Sequence, residues 1–343
     1  MRAGLKFLAI VLLFGIVTVA GSWWVLNQIM DAAGPHQAEV RLDIVPGSSV
    51  RQVASTLARE GVIKYPRVFE IAVRLDGNAT RIQAGEYLLQ PRISPRQVLA
   101  RLLEGRVLLH AITLVEGWTY QEMLGRLAGT EVLENDISDQ SDASVMAELG
   151  LAGSHPEGRF FPDTYHVARG THTSALLKLA KQRMDQELET AWSARAPDIP
   201  LKDAYEALIL ASIVEKETAL ASERPAIAGV FTRRLSKRMR LQTDPTVIYG
   251  LGPAFDGNLR RADLERDGPY NTYTRLGLPP TPICLPGREA LQAATQPAAG
   301  TALYFVATGE DDGGHYFSST LEEHNQAVAR YLAKLRQKRT DSK

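Results

Sequence analysis

The sequence predicts an α+β protein: an N-terminal transmembrane helix, a small α+β module and a larger α+β domain. Three observations predict it. Phe7–Leu26 is almost wholly apolar, and as a helix it is ~30 Å long, enough to span a bilayer. From Val40 onward, short alternating stretches are followed by turn residues, caps and helical spacings of apolar residues. Further on, nearly every residue from Ala207 to Val214 is apolar, the pattern of a helix covered on most sides.

Taken in order, Phe7 to Met30 carries no charge, while Arg2 and Lys6 precede it and place the N-terminus in the cytoplasm. Trp23 and Trp24 stand where an outer aromatic belt belongs. The competing reading is a cleaved signal peptide with Val19-Ala20-Gly21 as its small-residue site. The anchor is preferred because the apolar run continues to Leu26 and outlasts a typical h-region of ~7–15 residues. Either way the body lies outside the cytoplasm, and a lone cysteine, Cys284, suits an oxidising compartment. The expected organisation is a cytoplasmic tail (1–6), the transmembrane helix (7–30), a Gly/Pro linker (31–38), a module (39–115), a connecting subdomain (116–200), a domain (201–335) and a polar tail (336–343).

In the module, Val40–Val45 alternates like a strand, Pro46–Ser49 turns and caps, and Val50, Val53, Ala54, Leu57 and Ala58 follow helical spacing up to Gly61. A second helix is expected over Pro66–Leu75, a strand over Gly85–Leu89, and a third helix from Ser94-Pro95 to Gly105. Val107–Val115 is apolar enough for a central strand. Strand, turn, cap and helix recur at Leu114–Leu127, with Thr119 and Glu122 as a capping box. A spacer that binds nothing explains this module as well as a binding one does. Glu131–Glu148 is acidic and polar, as in a surface insertion. The aromatics of Glu157–Tyr165 suit sugar faces, and suit packing somewhat better. Ser174–Trp192 reads as an amphipathic helix.

The buried helix over Ala207–Thr218 has Asp203 as its N-cap and Glu206 three residues on. It ends in Glu215 and Glu217. At ~100° per residue, Glu217 falls in the arc of Leu210, Ile213 and Val214, whereas Glu215 falls nearer the edge, beside Ala211 and Leu208. A carboxyl among large apolar side chains loses hydration, so its pKa rises and it can serve as a general acid. Ser222 is placed as the cap of the next helix, with Ile227, Val230, Phe231 and Leu235 inward. The basic end of that helix, from Arg233-Arg234 to Arg240, reads as a complement to the macrodipole. Leu241–Gly250 and Pro269–Tyr273 are rich in amides, hydroxyls and phenols, which suits a polyhydroxyl ligand bearing N-acetyl groups. Gly277–Ile283 is a proline-stiffened loop, Tyr304–Val306 is a strand, and Glu323-His324-Asn325 opens the last helix. His315 and His324 stand in no standard zinc spacing, so no metal is expected. Lys plus Arg and Asp plus Glu balance at 39 each, so no global charge favours nucleic acid.

Several exact runs carry a resemblance: ALILASIVEKET, Ser222–Arg224, Met239–Gly250, RADL at Arg261–Leu264, YNTY at Tyr270–Tyr273, GLPP at Gly277–Pro280 and EHN at Glu323–Asn325. Together they look like the YceG-like endolytic murein transglycosylases, the MltG family. The likeness spans nearly the whole chain, anchor included. It implies that the module is LysM-like and that the larger domain has a lysozyme-like glycan groove. It puts the essential glutamate in EKET, here assigned to Glu217. It also makes Gln242, Asp244, Tyr249, Asn271, Tyr273 and Asn325 candidate substrate-binding residues.

The resemblance implies a cell-wall enzyme acting on nascent peptidoglycan strands. It would need no cofactor, would sit as a single-pass protein of the bacterial inner membrane with its catalytic domain in the periplasm, and would have cell-wall synthases as candidate partners. One Glu suffices when the substrate supplies the nucleophile. The alternatives are a two-carboxylate muramidase, with Asp244 or Glu215 as second group, and a tethered wall-binding scaffold without catalysis.

Overall fold

The computed structural model describes residues 2–341; Met1, Ser342 and Lys343, the tips of the expected tails, lie outside the described residues. The chain divides into two units, residues 1–110 with 166–171, and residues 111–165 with 172–343.

The first unit opens with α1 (Arg2–Asp31). Among the described residues, Gly4–Asp31 is the one helix long and apolar enough to cross a membrane, with a mean hydropathy of 2.2. Its last turns belong to the module: Met30 is buried with Phe69 and Val73, and Arg96 bonds Asp31 at 2.5 Å and Asn27 at 2.6 Å. The stretch that follows is tied down too. Gly34 donates to Arg92 O at 3.2 Å, at a point where a Cβ would lie 2.6 Å from Ile93 O. β1 (Val40–Ile44) pairs antiparallel with β2 (Gly85–Leu89), Leu42 facing Tyr87. α2 (Val50–Arg59) and α4 (Pro95–Glu104) each begin with a full capping box, Ser49 with Gln52 and Ser94 with Gln97. α4 stops at Gly105, whose φ of +65° is the left-handed geometry glycine tolerates. With α3 (Pro66–Leu75), these helices close over Leu42, Leu57, Phe69, Tyr87 and Leu102.

β3 (Leu109–Thr113) is shorter than expected and, among the described residues, pairs only with β5 (Thr164–Ala168). It is not central: only Ile112 of its five residues is buried, because His110 and Thr113 break the apolar run that suggested a covered strand.

In the second unit, α5 (Tyr120–Ala128) carries the expected Thr119–Glu122 box. The polar stretch after it, with β4 (Leu133–Glu134) and α6 (Asp142–Glu148), is more than a surface insertion. Ile137, Val145 and Met146 are buried, sparse apolar residues that the acidic composition masked. β6 (Thr171–His172) leads into α7 (Thr173–Ser193). Phe160 and Phe161 are buried and Phe160 stacks on Tyr120 at 5.7 Å, so these aromatics pack.

α8 (Ala204–Glu217) is the axis of this unit, and all eight residues from Ala207 to Val214 are buried. Each large aliphatic among them contributes about 1.5–3 kcal/mol of burial. Asp203 caps the helix by accepting from Glu206 N–H at 2.8 Å, while the Glu206 carboxylate accepts from Lys202 N–H instead of closing the box. α9 (Arg224–Ser236) follows a 3-10 turn over Ala221–Glu223, so Ser222 lies inside that turn and is not its cap. Next come α10 (Asp244–Leu251), α11 (Arg261–Glu265) and α12 (Arg288–Thr295), the last packed on α8 and α9. The β7 (Tyr304–Ala307) and β8 (His315–Ser318) hairpin sets Phe305 against Phe231 of α9. α13 (Leu321–Asp341) continues as helix through most of the expected tail.

Candidate active site

Glu217 is the last residue of α8. The helix ends there because Thr218 turns extended (φ −145°, ψ 136°) and its hydroxyl accepts from Leu220 N–H at 3.0 Å. The Thr243 hydroxyl donates to Glu217 Oε1. Thr243 is itself held, its N–H donating to Thr272 Oγ1 at 3.1 Å, while the Thr246 and Thr272 hydroxyls share a bond of 2.9 Å. Burial pushes the Glu217 carboxyl up to about 7. The Thr243 hydrogen bond opposes the rise, the Asp244 charge adds to it, and His315 and Arg234 oppose it.

Asp244 and Pro245 open α10. Asp244 is exposed and accepts from the Tyr273 hydroxyl at 2.5 Å. Burial first, and Asp244 second, hold that phenol well above its ordinary range. Gln242 is exposed and has a φ of +51°, a left-handed geometry that costs a non-glycine residue about 1–3 kcal/mol. Two contacts hold it there. Its N–H donates to Thr272 O at 3.1 Å, and Arg234 ties down the loop by donating to Leu241 O at 2.8 Å and Arg240 O at 3.2 Å. Arg234 also reaches Leu303 O at 2.6 Å and lies over the Tyr304 ring at 5.1 Å. It is buried and threaded among carbonyls, so the macrodipole reading of this helix end misses its main role.

Three nominated residues have partners of their own within the fold, and a fourth, Asn325, is exposed. Glu215 has a buried side chain whose oxygens receive Arg224 at 2.8 Å and Gly287 N–H at 2.9 Å. Burial pushes its carboxyl up, and those two donors oppose the rise. Asn271 is 4% exposed. Its amide donates to Asp263 O, Leu264 O and Arg266 O at 3.2, 3.0 and 2.7 Å, ending α11, and its Oδ1 accepts Tyr273 N–H at 2.9 Å. Tyr249 donates to Glu157 Oε2 at 3.0 Å, and its ring meets Tyr270 edge-on at 4.9 Å. Asn325 is exposed on α13, and no hydrogen bond among the described residues joins it to Glu217.

The sequence reading did not single out Thr243, Arg234 or Glu157. Glu157 is 2% exposed, and burial pushes its carboxyl to about 7 although Tyr120 N–H and the Tyr249 hydroxyl donate to it. Its signal was a lone acid before the buried Phe160-Phe161 pair. No group of three or more His, Cys, Asp or Glu that could hold a metal occurs among the described residues.

Residues 42–330 match the model of the YceG-like family. The chain belongs to the YceG-like family. This YceG-like chain is 32% identical over 317 residues to the endolytic murein transglycosylase of Bacillus subtilis, covering 87% of this chain and 86% of that protein. It is 28% identical over 359 residues to the endolytic murein transglycosylase of Streptococcus pneumoniae, covering 94% of this chain and 64% of that longer protein. A crystal structure of a yceG-like protein from Listeria monocytogenes superposes on 84% of this chain and 99% of its own, with a TM-score of 0.52 at 29% identity. Glu217, Thr243, Asp244 and Tyr273 all fall inside the YceG-like region.

Proposed function

We propose that this YceG-like chain is an endolytic murein transglycosylase with Glu217 as its acid and base. The observation that carries the reading is a carboxyl held near neutrality by burial at the end of α8, with Glu215 committed to Arg224 and Gly287 N–H. Protonated Glu217 donates to the glycosidic oxygen between N-acetylmuramic acid and N-acetylglucosamine, and the C1–O bond breaks. The muramic C6 hydroxyl then attacks C1 and returns its proton to Glu217. No water is consumed and the end is a 1,6-anhydro ring. Asp244, Tyr273 and the strained Gln242 line the approach and orient the sugars, while Asn271 acts through Tyr273. The surroundings of Glu217 are read as a lysozyme-like groove, and the module as LysM-like. Gly4–Asp31 anchors the chain with its N-terminus inside and the two units in the periplasm, a reading supported by that helix's apolar length.

A second reading is a two-carboxylate muramidase, favoured by the Asp244 charge acting on Glu217. Asp244 is exposed and engaged by Tyr273, a poor state for activating water on the far face of the sugar. Digestion of peptidoglycan in ¹⁸O-labelled water separates the two. The expected product resists borohydride, is one water lighter than a hydrolysed end and carries no label. Label at a reducible muramic end would establish hydrolysis. No cleavage by the folded full chain would refute the transglycosylase reading.

A further inference from the structure

A cavity of about 290 Å³ lies in the first unit, where the end of α1 meets the module. One wall is formed by the last turns of α1, with Trp24, Val25 and Ile29, and the other by Ile63 and Phe69. Ile63 and Phe69 are buried, whereas Trp24 and Val25 are 64% and 48% exposed. The hollow therefore has a packed apolar floor and an open rim. Lys64 and Tyr65 are exposed on that rim. The Lys64 ammonium lies 5.4 Å from the centroid of the Tyr65 ring and, among the described residues, pairs with no carboxylate. The acids of the adjoining helices are taken: Asp31 of α1 by Arg96, and Glu70 of α3 by Arg74 at 2.7 Å.

We propose that this cavity holds one anionic phospholipid of the leaflet from which α1 emerges, with acyl chain against Val25, Ile29 and Phe69 and headgroup phosphate at Lys64. The proposal rests on the reading of Gly4–Asp31 as a membrane anchor. The apolar run of α1 ends at Leu26, so Trp24 stands at the aromatic belt. From Trp24 to Met30 the helix climbs ~9 Å, comparable to a headgroup layer of roughly 5–8 Å on each side of the hydrocarbon. The cavity thus lies at the depth where acyl chain gives way to phosphate, and its open rim is continuous with the exposed apolar surface of α1. Lipid tails are already in an apolar phase, so filling the hollow with one gains little by itself. Selection must come from charge. Lys64 offers an ammonium without a competing carboxylate, in a setting less wet than bulk water. An anionic headgroup is favoured over a zwitterionic one, which brings its own cation to the phosphate.

The test uses the full chain in phosphatidylcholine vesicles with a minor share of phosphatidylglycerol. Bromine is placed on the acyl chains of the phosphatidylglycerol in one set, and on an equal share of the phosphatidylcholine in the other. Bromine quenches an indole it touches, and the part due to Trp24 is the difference between wild type and Trp24→Phe. Labelled phosphatidylglycerol should quench Trp24 several-fold more strongly than labelled phosphatidylcholine. Lys64→Gln, a change at an exposed position, should bring the two to parity, and Lys64→Arg should keep the preference. Arg67→Gln removes a cation of α3 that does not line this cavity, and should leave the preference in place. Equal quenching by the two lipids in wild type, as a groove kept for a second copy or a partner's helix would give, overturns the proposal. So does a preference that Lys64→Gln leaves alone, or that Arg67→Gln removes equally. Quenching by neither lipid overturns the anchor reading, and the proposal with it.

Discussion

Glu217→Gln should stabilise the protein, and increasingly so as pH rises. The carboxyl has an ordinary value of 4.5 and burial raises it to about 7 in the folded chain. A raised carboxyl means that the folded state binds more protons than the unfolded state between those values, so stability falls as pH climbs through that window. The full penalty, reached well above pH 7, is about 3 kcal/mol, of which roughly 2.5 kcal/mol accrues between pH 5 and 8. Glutamine cannot ionise, keeps the shape and still accepts from the Thr243 hydroxyl. The melting temperature of the variant minus that of wild type should therefore widen by about 5–10 °C between pH 5 and 8, on the scaling for a unit of this size. The comparison is made by thermal unfolding of the two full chains in the same detergent. Taking the difference cancels the other titrating groups, including Glu157, which is raised to about 7 as well. The same variant should lose cleavage, because an amide neither gives nor takes the required proton. Parallel stability curves from pH 5 to 8 would show that Glu217 is an ordinary solvated carboxylate and would remove the physical basis for its role.

Glu215→Gln should do the reverse, costing about 2–4 kcal/mol by leaving buried Arg224 short of an anion. It should keep activity per folded molecule within a few-fold, as read by denaturant unfolding alongside cleavage rate. Cys284→Ser should cost about 1 kcal/mol and leave cleavage unchanged. Cys284 is fully buried and its Sγ donates to Ser212 O at 3.3 Å, a bond serine can make. In the native chain, burial pushes the thiol well up, so thiol reagents should react only as the protein unfolds.

The elements that sequence reading placed well were those written in local chemistry. Ser49-x-x-Gln52, Ser94-x-x-Gln97 and Thr119-x-x-Glu122 start helices because the bonds they make close within one turn. Ala207–Val214 was legible because eight apolar residues in a row leave a helix no solvent face. Long-range commitments were not legible. The Asn271 amide donates to the carbonyls that end α11, five to eight residues back, a role in the fold that its sequence context did not announce. Arg234 looked like a macrodipole partner, but its carbonyls at Arg240, Leu241 and Leu303 gather only when the chain folds back on α9. Composition likewise hid α6, whose two buried apolar residues suffice to fold a polar stretch inward.

The two carboxylates that end α8 show why helical phase alone could not assign them. Two residues apart, they point ~200° away from each other, and both are removed from water. What separates them is the partner each meets. Glu215 meets a buried guanidinium and a backbone N–H, so it is built into the junction of α8, α9 and α12. Glu217 meets one neutral hydroxyl from Thr243, while the Arg234 charge that acts on it is already divided among three carbonyls. Desolvation therefore goes largely uncompensated at Glu217, and that deficit lets it hold a proton near neutrality. Moving Arg234 off its carbonyls and onto Glu217 would favour the carboxylate and leave those carbonyls without a donor. The loop at residues 240–243, strained at Gln242, keeps that guanidinium occupied.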